Sequence, residues 1–267
     1  MANTHQKSEN LFFKKYRKMK PKILFIVGTH GNENYSIPVV KRLKKLFKSF
    51  DYIIGNPEAV KKNVRFIDSD LNRVYPGKKD GNYEERRSYW IFNKMKLYDL
   101  VIDIHGIPNE THQPFIILSN KINKIYSVEI ANLFSIKKTV IWSSSNILGS
   151  SVKYFHGAGF AIEFGLKDKL DAQKTLERVL KTFLLNIKNV NPHRYSKKYF
   201  RFTGNISCEE GKDFILPENI VDFKKVSLNE KICIPILPRS YIRMGNNILF
   251  VNVEKLSVKE FRVWLDT

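Results

Sequence analysis

Short, continuous apolar runs constrain this chain most. They are "KILFIVG" (residues 22–28), "YDLVIDIHG" (98–106), "PFIILS" (114–119) and "GFAIEFG" (159–165). Runs of this kind, without polar alternation and closed by glycine or serine, read as buried strands. Segments with helical spacing lie among them. "SIPVVKRLKKLFKSF" carries Ile37, Val40, Leu43 and Phe47 on a helical period, with Pro38 in the first turn. "NYEERRSYWIFNKMK" reads as a second helix, and residues 169–188 place Leu176, Val179, Leu180, Phe183 and Ile187 on one face. "DYIIGNP" adds a short strand closed by a turn dipeptide. Strands alternating with helices specify an α/β layer fold with a mainly parallel sheet.

The texture changes after "NPHRYSKK" (residues 191–198). Short strand-like pieces follow, "YFRFTGNI", "KICIPIL" and "ILFVNVEKL", with turns between them and no long amphipathic helix. The expected organisation is a basic N-terminal tail over residues 1–20, a main α/β domain over 21–195 and a small β-rich C-terminal domain over 196–267.

Composition narrows the function classes. No apolar run in the 267 residues is long enough to span a bilayer. The N-terminus has no apolar segment followed by a small-residue cleavage site, so a cytoplasmic protein is expected. Two cysteines, Cys208 and Cys233, suggest neither a disulfide framework nor a cysteine-built metal cage. The formal net charge of +20 admits two readings: an anionic partner, or a lysine- and asparagine-rich composition with no bearing on chemistry.

Sites in open α/β sheets form beyond the carboxyl ends of the strands. His30 and Glu33 follow the first run, His105 ends the second, and Glu163 lies near the end of "FAIEF". Three candidate metal ligands and a further carboxylate are what a zinc hydrolase needs: three protein ligands leave a position open, and the extra carboxylate serves as base. Glu163 stands in an otherwise apolar run, where a buried carboxylate requires a partner or a function. "VRFIDSDLNRVYPG" (residues 64–77) adds Arg65, Asp68, Asp70, Asn72 and Arg73, and arginines hold carboxylates through a planar fork.

"GTHGNE", "DLNR", "DIHG" and "IEFG", in this order and spacing, resemble the succinylglutamate desuccinylase/aspartoacylase family, zinc-dependent relatives of the metallocarboxypeptidases. The resemblance runs through residues 22–166, and "NPEAVKKNVRFIDSDLNRVYP" is similar to aspartoacylase throughout. It implies a zinc-carboxypeptidase-like mixed central sheet flanked by helices, with a small C-terminal β-rich domain. It implies one zinc per chain, held by His30, Glu33 and His105. Glu163 matches the catalytic glutamate, Arg65 the residue that polarises the scissile carbonyl, and Asn72 and Arg73 the grip on a substrate carboxylate. Two positions depart from the aspartoacylase pattern. Lys153 stands where an arginine helps to bind the side-chain carboxylate of the substrate, and "FVNVEKLSV" has no counterpart of a site tyrosine.

The expected activity is zinc-dependent hydrolysis of the amide bond of an N-acyl amino acid or similar small carboxylate-bearing amide, with neither nucleic acid nor a membrane span as partner. Asp103, two residues before His105, is expected to orient a ligand from behind it. His112 and His156 have no assigned role. Two alternatives stay open: a carboxypeptidase-like peptidase or deacylase with a larger substrate, or a basic nucleic-acid- or membrane-binding protein on an inactive hydrolase fold. Oligomeric state is not encoded in any motif.

Overall fold

The computed structural model describes residues 21–107, 114–119, 124–142, 149–165, 169–207, 224–228, 232–237, 241–244 and 247–266. The basic tail and His112 lie outside the described residues.

The apolar runs become strands. β1 (Ile23–Val27), β2 (Phe50–Ile54), β3 (Leu100–Ile107) and β6 (Ala158–Gly165) form a parallel array in the order β6-β3-β1-β2. β4 (Phe115–Leu118) joins β6 antiparallel and β5 (Lys138–Ile141) parallel, so the sheet is mixed. β7 (Lys198–Ser207) pairs with β5, and β11 (Asn247–Lys255) and β10 (Tyr241–Met244) extend the same sheet antiparallel. β8 (Lys224–Leu228) and β9 (Ile232–Leu237) form a separate two-stranded sheet. The change of texture near residue 195 therefore falls just before a strand that belongs to the large sheet.

Both faces of the sheet are buried at β1, β3, β4 and most of β6. Phe25, Val27, Ile102, Ile104, Phe160 and Ile162 pack under α1 (Ser36–Leu46), α4 (Lys124–Ala131) and α5 (Lys169–Asn186). The alternate residues Leu24, Ile26, Val101 and Ala161 meet Ile91 and Met95 of α3 (Tyr83–Met95) on the other face. Burial on both sides explains why these strands read as unbroken apolar runs.

Three helices and three strands, β5, β8 and β10, have no counterpart among the segments read from the sequence. α2 (Pro57–Lys62) is a single short helix, capped by the Asn56 side chain and ended by Asn63 at φ +53°. In α4 the consecutive residues Ser127 to Ala131 are all buried, so no amphipathic stripe marks it. β5 has only four residues. α6 (Val258–Asp266) did carry a signal: Ser257 and Glu260 exchange the hydrogen bonds of a capping box. Its Phe261 stacks on Tyr199 of β7, with ring centroids 3.5 Å apart.

Candidate active site

The site begins where β1 ends. Gly28 turns the chain at φ +63°, a conformation that favours glycine. His30 follows in an extended conformation, and Gly31–Glu33 form one 3-10 turn. A Cβ on Gly31 would lie 2.0 Å from the carbonyl carbon of Ala59, so the turn seats directly against the backbone of α2. His105 and Glu163 face each other in register on adjacent strands β3 and β6. Asp103 sits two residues earlier on β3 and points to the same side of the sheet.

The structure brings His30, Glu33 and His105 together, all buried, with one donor atom of each within 4.8 Å of the others. His30 Nδ1 lies 2.6 Å from Glu33 Oε1, and His105 Nδ1 lies 3.4 Å from Glu33 Oε2. Each imidazole turns its other nitrogen to an aspartate. His30 Nε2 is 3.0 Å from Asp70 Oδ1. His105 Nε2 is 3.1 Å from Asp103 Oδ2, an ion-pair distance without the alignment of a hydrogen bond. Asp103, fully buried, also accepts from Thr29 Oγ1 at 2.9 Å and from Ser151 Oγ. The Tyr35 hydroxyl donates to the His105 carbonyl at 2.8 Å, and the Gly106 N–H donates to Glu33 Oε2 at 2.9 Å.

The electrostatics are those of a cation site. Burial alone would raise the Glu33 carboxyl, but the charge of His30 and contacts from both imidazoles hold it well below the usual carboxylate range. Burial works likewise on Asp70, and is outweighed there by His30, Arg65 and Arg73. Burial would lower His105 and His30, yet the carboxylates around them raise both. Two nitrogens and a carboxylate backed by further carboxylates attract positive charge, and His30, Glu33 and His105 would be the residues to hold a divalent cation there. Glu163, partly buried, stands apart from this set. Burial pushes it up to about 7, helped by Glu33 and opposed by His105.

The catalytic-domain model of the succinylglutamate desuccinylase/aspartoacylase family matches residues 19–189, well over half of the chain. This chain belongs to that family. A protein named "Probable aspartoacylase" from Prochlorococcus marinus subsp. pastoris is 36% identical over 96 residues, covering 32% of each chain. A "Succinylglutamate desuccinylase" from Pseudomonas paraeruginosa is 33% identical over 64 residues, covering 21% of this chain and 19% of the relative. This chain thus spans about a third or less of the length of these curated relatives. Among solved structures, the succinylglutamate desuccinylase of Chromobacterium violaceum superposes with a TM-score of 0.67 at 16% identity, covering 89% of this chain and 85% of that one. Murine aminoacylase 3 superposes at 0.64 and 17% identity, covering 88% and 95%. At these identities the likeness speaks to the fold, a mixed α/β zinc-carboxypeptidase-like architecture.

Within this family frame the other expected site residues fall on two loops that touch. Arg65 donates through Nε and Nη2 to Asp70 Oδ2, at 3.2 and 2.9 Å, and its Nη1 lies 3.7 Å from Glu33 Oε1. Asn72 is half-buried, and its Oδ1 accepts from the Ser151 N–H at 3.0 Å. Arg73 is exposed, and its Nη1 donates to the Asn72 carbonyl at 2.9 Å. A Cβ on Gly149 would overlap the Arg73 carbonyl, so the segment leading to Ser151 and Lys153 is pressed on the "DLNR" loop. Lys153 is half-buried in the 3-10 turn Ser151–Tyr154, with Nζ 5.9 Å from the Tyr154 ring centroid. His156 is exposed and lies beside Phe92 of α3.

Sequence reasoning quoted Asp70 without giving it a task, and passed over Thr29, Tyr35 and Ser151. Asp70 had one local signal, its place directly before "LNR"; the others bind through contacts 48 to 74 residues apart in the chain that no motif spacing encodes. Among the described residues no helix is long and apolar enough to cross a membrane.

Proposed function

We propose that this chain is a zinc-dependent hydrolase that cleaves the amide bond of an N-acyl amino acid or a similar small amide bearing a carboxylate. The convergence of His30, Glu33 and His105 within 4.8 Å, with Glu163 in register beside His105, carries the reading. The ion, when bound, supplies Lewis acidity for attack on the amide carbonyl. Glu163 takes a proton from the attacking water and delivers it to the leaving nitrogen; a carboxyl near 7 suits both directions of transfer. Arg65 donates to the oxygen on which negative charge develops. Asn72 and Arg73 receive the substrate carboxylate, and Lys153 supplies a second cation on the neighbouring turn. Asp70 and Asp103 hold the two imidazoles with Nδ1 toward Glu33. Residues 196–267 form, in this proposal, the smaller β-rich unit, with β7 as the strand shared with the hydrolase sheet.

The test is a screen of the zinc-loaded protein against N-acyl amino acids and short peptides, with elemental analysis of the metal. One zinc per chain is expected. His30→Ala or His105→Ala should remove most of it. Glu163→Gln should retain the metal and the fold while losing about 10²–10⁴-fold in turnover. Metal that survives both histidine substitutions, or Glu163→Gln at wild-type turnover, overturns the assignment.

A further inference from the structure

Glu84, in the first turn of α3, is fully buried and touches none of the residues given a task above. Its Oε1 accepts from Asn56 Nδ2 at 2.9 Å and from the Ile67 N–H at 2.6 Å. Its Oε2 accepts from the N–H groups of Asp68 at 2.9 Å and Ser69 at 3.1 Å. Four donors occupy an acceptor with about four lone-pair sites, and the backbone N–H groups of three consecutive residues turn toward one side chain. The clamp is returned from the other side. Asp68 Oδ2 accepts from the Tyr83 N–H at 3.0 Å, and Ser69 Oγ pairs with the Asn82 side chain that caps α3.

Apolar packing does not hold this loop. From Lys61 to Asp70 no residue is fully buried, and Val64 and Phe66 are about 40% exposed (40% and 39%). The first buried residue is Leu71. Asp70, which follows the clamped segment directly, meets His30, Arg65 and the Asn72 N–H at once. We propose that Glu84 is a positioning residue: by fixing the backbone of residues 67–69 it sets Asp70, and through Asp70 the orientation of Arg65, Asn72 and the His30 imidazole. Its two acceptor oxygens matter more than its shape. A glutamine of the same size must turn its NH₂ group toward N–H donors on one side or the other, setting donor against donor.

The inference rests on the function proposed above, and its test has arms that need no substrate. Glu84→Gln is compared with wild type and with Leu180→Ala, a core variant of α5 remote from the loop. Glu84→Gln should speed amide hydrogen exchange at residues 67–69 and lower zinc affinity about tenfold in chelator competition, the low end for groups behind a metal ligand. It should also narrow the preference for a free-acid substrate over its methyl ester. Leu180→Ala should lower thermal stability and leave zinc affinity and that preference unchanged. If Glu84→Gln does not fold, Glu84→Asp, which keeps the charge and shortens the reach, takes its place, with the same expectations in milder form. Wild-type zinc affinity and wild-type exchange in the Glu84 variant overturn the proposal. So does an equal loss of affinity in Leu180→Ala, which would mean that Glu84 acts only through global stability. If no amide in the panel is cleaved, the proposed function fails while the exchange and affinity arms still decide the role of Glu84.

Discussion

Asp70→Asn tests the site at its most connected point. The aspartate faces His30 Nε2 and the Asn72 N–H with one oxygen, and Arg65 with the other. An asparagine has one oxygen and one NH₂, so it can serve one side only. With its oxygen toward Arg65, the NH₂ meets the Asn72 N–H, and it can donate to His30 only if Nε2 gives up its proton. That shifts the imidazole proton to Nδ1, the nitrogen facing Glu33, where a metal ligand needs a free lone pair. With the oxygen toward His30, the NH₂ opposes the Arg65 guanidinium and the two charge-assisted bonds are lost. Loss of a partner behind a metal ligand lowers affinity about 10–100-fold, or about 1.4–2.8 kcal/mol at 1.4 kcal/mol per decade. Charge-assisted bonds are worth about 1.5–3 kcal/mol. Since the Arg65 side chain is 30% exposed, about 1–2 kcal/mol remains for its displacement. Whichever side the oxygen takes, the other is lost, and either loss predicts a fall of about 10–100-fold in kcat/KM at limiting zinc; the His30 loss is recovered at saturating zinc and the Arg65 loss is not. Chelator competition measures the His30 loss and steady-state kinetics across zinc concentrations separates the Arg65 loss. Wild-type zinc affinity together with wild-type kcat/KM would refute the bridge between ligand and arginine.

Arg73→Lys keeps the charge and removes the fork. Because Arg73 is exposed, the cost should fall at or below the low end of the 2–5 kcal/mol known for buried pairs, about tenfold in KM for a free-acid substrate. The methyl ester of the same substrate should be unaffected, and a variant that discriminates acid from ester as well as wild type would remove Arg73 from the carboxylate site. Gly31→Ala should destabilise the fold by about 1–3 kcal/mol in urea unfolding, since the added methyl meets the α2 backbone rather than a yielding side chain. Zinc affinity should fall with it, because Gly31 lies between His30 and Glu33; a variant as stable as wild type would show that the two segments can part freely.

The local chemistry of this site is written in the sequence. Buried strands announce themselves as apolar runs because both faces are covered at β1, β3, β4 and most of β6. His30 and Glu33 are legible as a pair because a short turn after β1 carries both. His105 and Glu163 are legible because each stands near the end of its own run. The family motifs supplied roles on top of these positions. Pairing across the sheet was not legible. That β6 lies beside β3 and takes β4 antiparallel, and that β7 continues the same sheet beyond the change of texture, are matters of long-range register. The supports behind His30 and His105 are likewise tertiary. Asp70 reaches His30 across 40 residues, Ser151 reaches Asp103 across 48 and Asn72 across 79, and Glu84 holds a loop 15 to 17 residues before it. Periodicity records which face a residue turns inward, since burial acts residue by residue along the chain. A hydrogen bond between distant side chains needs two backbones already fixed at contact distance, and only the completed packing of strands and loops fixes them.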